Sequence, residues 1–164
     1  MNFSQVITDI EIKTIAELAR EIWTEHYIAI IGIDQVEYML GKFQSENAIA
    51  DQIQNQGYCY YLIEDDSQPV GYFSIIQEKD SLFLSKLYVH KSKRGRGIAS
   101  QALEFIKNIA FENKLVKITL TVNKNNVGPL AAYQKLGFVN KGSIVQDIGG
   151  GFIMDDYKME LKLI

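Results

Sequence analysis

Three consecutive segments constrain the fold of this chain more than any other feature. Residues 82–89 are mostly apolar. Residues 97–113 carry Ile98, Ala102, Leu103, Phe105, Ile106, Ile109 and Ala110 at helical spacing. In residues 116–122, Val116, Ile118, Leu120 and Val122 alternate with Lys117, Thr119 and Thr121, the period of a half-buried strand. A strand, a helix and a strand in succession imply a crossover, and a crossover sets the two strands parallel.

The flanking sequence fills in the layers. Residues 3–7 read as a short strand. Thr8 and Glu11 have capping-box spacing ahead of a helical face made by Ile12, Ile15, Ala16, Ala19, Ile22, Trp23 and His26. Asp34 is expected to cap a second helix with Val36, Met39, Leu40 and Phe43 inward, and Ser45 to restart it towards Ile53. Residues 58–63 and 70–76 read as a hairpin that continues into 82–89 as an antiparallel meander. Residues 129–136 form a short helix stopped by Gly137, and 138–145 with 152–163 make a final antiparallel pair. The expected fold class is mixed α/β: a mostly antiparallel sheet of about seven strands with helices on both faces. Residues 1–164 are expected to form a single domain.

Composition narrows the function. An apolar share of 47% and a net charge of −3 exclude disorder as the main state. With 20 acidic against 17 basic residues, a nucleic-acid partner is not expected. Cys59 is the only cysteine, so an intrachain disulfide and a cysteine-based zinc site are excluded, and it reads as a core residue. The two histidines, His26 and His90, are too few and too separated for a metal motif. The start of the chain lacks the basic and apolar regions of a leader, and the longest apolar run, 27–33, is too short to span a bilayer. A cytoplasmic protein with no membrane partner is expected.

Against this acidic background, residues 81–103 contain no acid and five cations: Lys86, Lys91, Lys93, Arg94 and Arg96. His90 reads as a surface residue of the same patch. The turn Arg94-Gly95-Arg96-Gly97-Ile98-Ala99-Ser100 joins a buried strand to a helix start. Glycines let backbone N–H groups approach a ligand, and a helix N-terminus favours an anion. Arginine adds bidentate phosphate contacts. The established phosphate loops do not fit, because the chain has no Gly-x-x-x-x-Gly-Lys-Ser/Thr and Ser100 replaces the third glycine of a dinucleotide fingerprint.

Arg94, Gly97 and Ala99 after Leu87-Tyr88-Val89, together with Asn126, Tyr133, Gly137 and Phe138 in NNVGPLAAYQKLGF, resemble the Gcn5-related N-acetyltransferase (GNAT) superfamily. Both elements occur in the family's order. Pro129 departs from the alanine common at that helix start, and the first helical turn accepts it. The resemblance implies an acetyl-CoA-dependent N-acetyltransferase with no metal. It implies a pantetheine arm along Leu87, Tyr88 and Val89, and a pyrophosphate on the N–H groups of Arg94, Gly95, Arg96, Gly97, Ile98, Ala99 and Ser100. It implies a cofactor contact from Asn126, and Tyr133 as the acid that protonates the leaving thiolate. The strand 82–89 lacks the glutamate base of some members, which leaves a water relay or a residue from elsewhere to take the amine's proton, with Glu25, His26 and Asp156 as candidates. Packing alone would also account for Tyr133.

The acceptor side draws on the first two helices and the last hairpin. Trp23, Glu25, His26, Tyr27, Asp34, Glu37, Tyr38, Asp147, Asp155, Asp156 and Tyr157 lie there, and acids with aromatics suit a cationic amine. Residues 22–27 and 147–157 are similar to bacterial spermidine/spermine acetyltransferases of the PaiA type, which points to a polyamine as a small-molecule acceptor. The triple glycine, Gly149 to Gly151, either flexes over the acceptor or closes a hairpin. A CoA-binding sensor and a protein Nα- or lysine acetyltransferase are the alternatives. An exposed final strand would offer an edge for a homodimer.

Overall fold

The structure is a computed structural model that describes residues 1–163. The chain runs β1 (Asn2–Gln5), α1 (Asp9–Ile31), α2 (Ile33–Phe43), α3 (Glu46–Asn55), β2 (Cys59–Asp65), β3 (Gln68–Gln77) and β4 (Ser81–Val89). It continues with α4 (Ile98–Glu112), β5 (Lys117–Asn123), α5 (Val127–Lys135), β6 (Val139–Gly149) and β7 (Phe152–Lys162). The seven strands form one sheet in the order β1-β2-β3-β4-β5-β7-β6. Only β4 and β5 are parallel, as the crossover requires.

Each face of the sheet has its own core. On one, Ile98, Ala102, Leu103, Ile106 and Ala110 of α4 pack on Phe73, Leu82, Leu84, Ile118 and Leu120. On the other, Ile15, Ala19 and Ile22 of α1, Val36 and Leu40 of α2 and Ile49 of α3 pack on Tyr60, Leu62 and Tyr72. The capping box forms: Glu11 N–H donates to Thr8 Oγ1 at 3.2 Å, and Thr8 N–H donates to Glu11 Oε1 at 2.9 Å. Ser45 caps α3 by accepting from Ala48 N–H at 3.1 Å.

Three expectations are corrected. Asp34 does not cap α2; Gly32, at φ +84°, occupies the cap and places Asp34 in the first turn. The final strand is not an edge: β7 lies between β5 and β6, so the free edge belongs to β6. Cys59 is half-buried against the α4-side core rather than fully enclosed. No helix among the described residues is long and apolar enough to cross a membrane.

Two buried glutamines, which composition alone would place at the surface, bind α2 and α3 to the sheet. Tyr72 Oη donates to Gln44 Oε1 at 2.6 Å, and Gln44 Nε2 donates to Tyr60 Oη at 3.0 Å. Tyr60 Oη then donates to Gln52 Oε1 at 2.5 Å. Both glutamine amides also cap the Phe43 carbonyl, at 2.6 and 2.7 Å. A closed network of this kind satisfies every buried polar atom it recruits, which is what makes burying them affordable.

Candidate active site

The site begins where two strands part. β4 and β5 pair only over Ser81–Phe83 with Lys117–Thr119. Beyond that point the register of β4 on β3 shifts, from Leu84 opposite Ile75 to Lys86 opposite Ser74. This bulge re-aims the strand's end. Leu87 and Val89 turn to the α4 core, while Tyr88 turns to the α1 core. The gap opens into a cleft of about 960 Å³ lined by β4, β5, α1, α2, α5 and the turn before α4.

One end of the cleft is built for an anion. Gly95 and Gly97 adopt φ of +79° and +75°, a left-handed conformation that favours glycine, and Gly97 is the N-cap of α4. Arg94 Nε donates to the Val89 carbonyl at 3.0 Å, which fixes the arginine at the mouth of the cleft. Lys93, Arg94, Gly95, Gly97, Ile98, Ala99, Ser100 and, from α5, Lys135 line this end. No acid lies in the first turn of α4. Arg96 is exposed, and its side chain is not among the lining residues.

His90, expected as a surface residue of the basic patch, is half-exposed and tethered. Its Nε2 lies 2.7 Å from Glu21 Oε1 and its Nδ1 2.8 Å from Ser92 Oγ, so it ties the end of β4 to α1. Glu25 joins that exposed cluster, with its ligand atom within 4.8 Å of those of Glu21 and His90. It does not line the cleft and drops out as a candidate base.

The middle of the cleft is aromatic. Trp23 and Tyr27 of α1 meet Tyr88 at centroid distances of 5.5 and 6.0 Å, both edge-on. Asn126, buried at the start of α5, is held from α1: His26 Nε2 lies 2.8 Å from its Oδ1, and its Nδ2 donates to Tyr27 Oη at 3.1 Å. Residues 100 positions apart thus meet across the cleft. Tyr133 is half-buried one helix face further on, edge-to-face with Phe138 at 5.4 Å. Burial, and then the nearby Tyr27, push its phenol well above the ordinary range, so it keeps its proton at neutral pH.

Asp156 adds a carboxyl group close enough to Tyr27 to act on its phenol. It is 1% exposed, faces the cleft from β7, and its Oδ1 has no hydrogen-bond partner among the described residues. Burial raises its pKa to about 6, Asp155 adds to the rise, and Thr121 and Lys124 oppose it. An orphaned carboxylate oxygen in a cleft is a group waiting for a cationic or proton-bearing partner. Leu87, Tyr88, Val89, Trp23, His26, Asn126, Tyr133 and Asp156 therefore all line one cavity.

A phosphate-type turn beside a splayed parallel pair, with a protonated tyrosine and an unpaired carboxylate beyond it, defines a group-transfer site. The family comparison agrees. A family model described as the acetyltransferase (GNAT) family matches residues 15–138, and the chain belongs to that family. No curated protein sequence matches the chain. Among solved structures, the PaiA N-acetyltransferase from Thermoplasma acidophilum in complex with coenzyme A is similar at 20% identity and TM-score 0.77, over 99% of both chains. A GCN5-related N-acetyltransferase from Rhodopseudomonas palustris is similar at 17% identity and TM-score 0.81, over 99% of this chain and 95% of that one. A spermidine N-acetyltransferase SpeG chimera from Vibrio cholerae and hSSAT reaches 17% and 0.70, over 99% and 96%. At these identities the likeness shows the shared fold.

Proposed function

We propose that this chain is an acetyl-CoA-dependent N-acetyltransferase that acts on a primary amine in a ternary complex. The observation that carries the reading is the shared cleft: the anion-binding turn before α4, Tyr133 beside the β4–β5 splay, and the unpaired Asp156 on β7 all face it. The complexes of relatives with coenzyme A support the choice of co-substrate.

The backbone N–H groups of residues 94–100 and Arg94 hold the pyrophosphate. The pantetheine arm adds to the open edge of β4 along Leu87 to Val89, as an extra strand would. The acceptor enters on the α1–α2 side. A free alkylamine is mostly protonated at neutral pH, so a base must remove one proton. Asp156, titrating near 6, is ionised at pH 7 and takes it. The amine nitrogen then attacks the thioester carbon, and a backbone N–H near Val89 stabilises the charge that develops on oxygen. The carbon–sulfur bond breaks, the Tyr133 hydroxyl protonates the departing thiolate, and the second proton lost from the new amide nitrogen restores the phenol. His26 and Tyr27 hold Asn126 in place at the cofactor side of the cleft.

Residues 1–164 act as one domain in this reading, since one sheet uses strands from both ends of the chain. The half-buried, unpaired Cys59 suits a reducing, cytoplasmic setting. The sequence likeness points to a polyamine, whereas the charge of Lys86 in the same cleft disfavours a second ammonium there, so the acceptor is decided by the assay. The test is thiol release from acetyl-CoA with spermidine, spermine, amino acids, aminoglycosides and a lysine peptide. Release with one class establishes the transfer. Thermal stabilisation by acetyl-CoA without release from any amine would leave a sensor as the better reading.

A further inference from the structure

Lys86 takes no part in the chemistry above. It lies on β4 just past the bulge and lines the cleft, as do Ile31, Gln35 and Met39 of α1 and α2. Its ammonium donates to Ser85 Oγ at 2.9 Å and lies 5.9 Å from the Tyr58 ring centre. None of the ion pairs among the described residues includes it. Desolvation by burial lowers its pKa to about 8, which still leaves it charged at neutral pH. The anion end of the cleft has its own cations in Lys93, Arg94 and Lys135, and Lys86 is not needed there.

Asp156 shares the sheet face of Lys86. Phe152 and Met154 of β7 pack into the α1–α3 core, and Asp156 follows them at the two-residue period of a strand. Lys86 contacts Tyr58 of the same core. The face of the cleft towards α1 and α2 thus holds one unpaired cation and one unpaired carboxylate, and Ile31, Met39 and Met154 add apolar surface to the same lining. β5 separates the two strands that carry these charges, so their backbones are at least two strand spacings apart, about 10 Å.

We propose that the acceptor is an amine that also carries an anionic group several bonds away, with Asp156 receiving the amine and Lys86 the anion. This rests on the acetyltransfer reading. A diamine would bring its second ammonium against Lys86, and a simple alkylamine would leave Lys86 unpaired.

The test uses matched chains on the full-length protein: 6-aminohexanoate, hexylamine and 1,6-diaminohexane, with the four-carbon set 4-aminobutyrate, butylamine and 1,4-diaminobutane alongside. Thiol release is measured for each. The amino acid should exceed both partners of its set by about tenfold or more in kcat/KM. Lys86→Met should collapse that ratio, and Lys86→Glu should turn the preference towards the diamine. Urea unfolding of both variants checks that they fold. A wild-type preference for the diamine or the alkylamine, or a ratio that neither folded variant changes, overturns the proposal and leaves acetyl transfer standing. No thiol release from any amine overturns the acetyltransfer reading and this proposal with it.

Discussion

Replacing Asp156 by asparagine should make the protein more stable and much less active. The carboxyl is 1% exposed, with one oxygen unpartnered, and its pKa rises from 3.8 to about 6. The native state therefore holds this proton more tightly than the unfolded chain does. Its contribution to stability is full below about pH 4 and is lost as pH rises towards 6. A rise of about two units sets a ceiling of about 3 kcal/mol on that loss. Solvent reaching the cleft-facing carboxyl reduces it to about 1–2 kcal/mol. The asparagine variant has no such charge to desolvate. Urea unfolding at pH 7.5 should show it about 1–2 kcal/mol more stable than wild type, with the gap closing at pH 4. Thiol release at pH 7.5 should fall by about 10²–10⁴, as loss of a general base does. In the wild type, kcat/KM should rise with pH through about 6. A variant no more stable at pH 7.5 would refute the desolvation argument, and one with undiminished turnover would refute the role as base.

Three further outcomes follow from other parts of the molecule. Tyr133→Phe should lower kcat by about 10²-fold or more while the Kd for acetyl-CoA changes little, as read by turnover and calorimetry; unchanged turnover removes Tyr133 as the acid. Gly97→Glu should abolish acetyl-CoA binding, since it places negative charge at the α4 N-terminus, and the φ of +75° adds about 1–2 kcal/mol of strain; unchanged affinity in a folded variant would displace the phosphate site. Tyr60→Phe should cost about 1–3 kcal/mol in urea unfolding, because it strips Gln52 Oε1 of its donor and Gln44 Nε2 of an acceptor inside the α2–α3 network.

The sheet was legible because its segments obey one period each. The alternation at 116–122 and the helical face of α4 can be satisfied only one way, and the crossover between them sets the parallel pair. The capping residues Thr8 and Ser45 also act locally, so spacing reveals them. Asp34 misled because Gly32 can adopt the left-handed turn that starts α2, and no side-chain cap is then needed. The strand order at the end of the sheet was hidden, since hairpin partners read alike whichever one meets β5. Within the site, the Gly97 turn and Tyr133 stood out by motif. The hold of His26 on Asn126, the separation of Glu25 from the cleft and the unpaired Lys86 were hidden, because each depends on how distant segments converge. The glutamines at 44 and 52 were invisible for another reason: polar side chains on helices read as solvated until a second polar set is found beneath them.

The hairpin tip after Ile148 is seated on α2, outside the cleft. Tyr38 Oη and Lys42 Nζ of α2 both donate to the Ile148 carbonyl, at 2.7 and 2.6 Å. A side chain at Gly149 or Gly150 would collide with the Tyr38 ring or its hydroxyl. The triple glycine is therefore a socket for α2 rather than a free flap. Helix and hairpin form one inheritable unit: a β6–β7 segment transplanted from a relative without its own α2 would arrive with no partner for its tip. Substitutions at Tyr38 and at Gly149 or Gly150 should accordingly be tolerated as matched pairs better than singly.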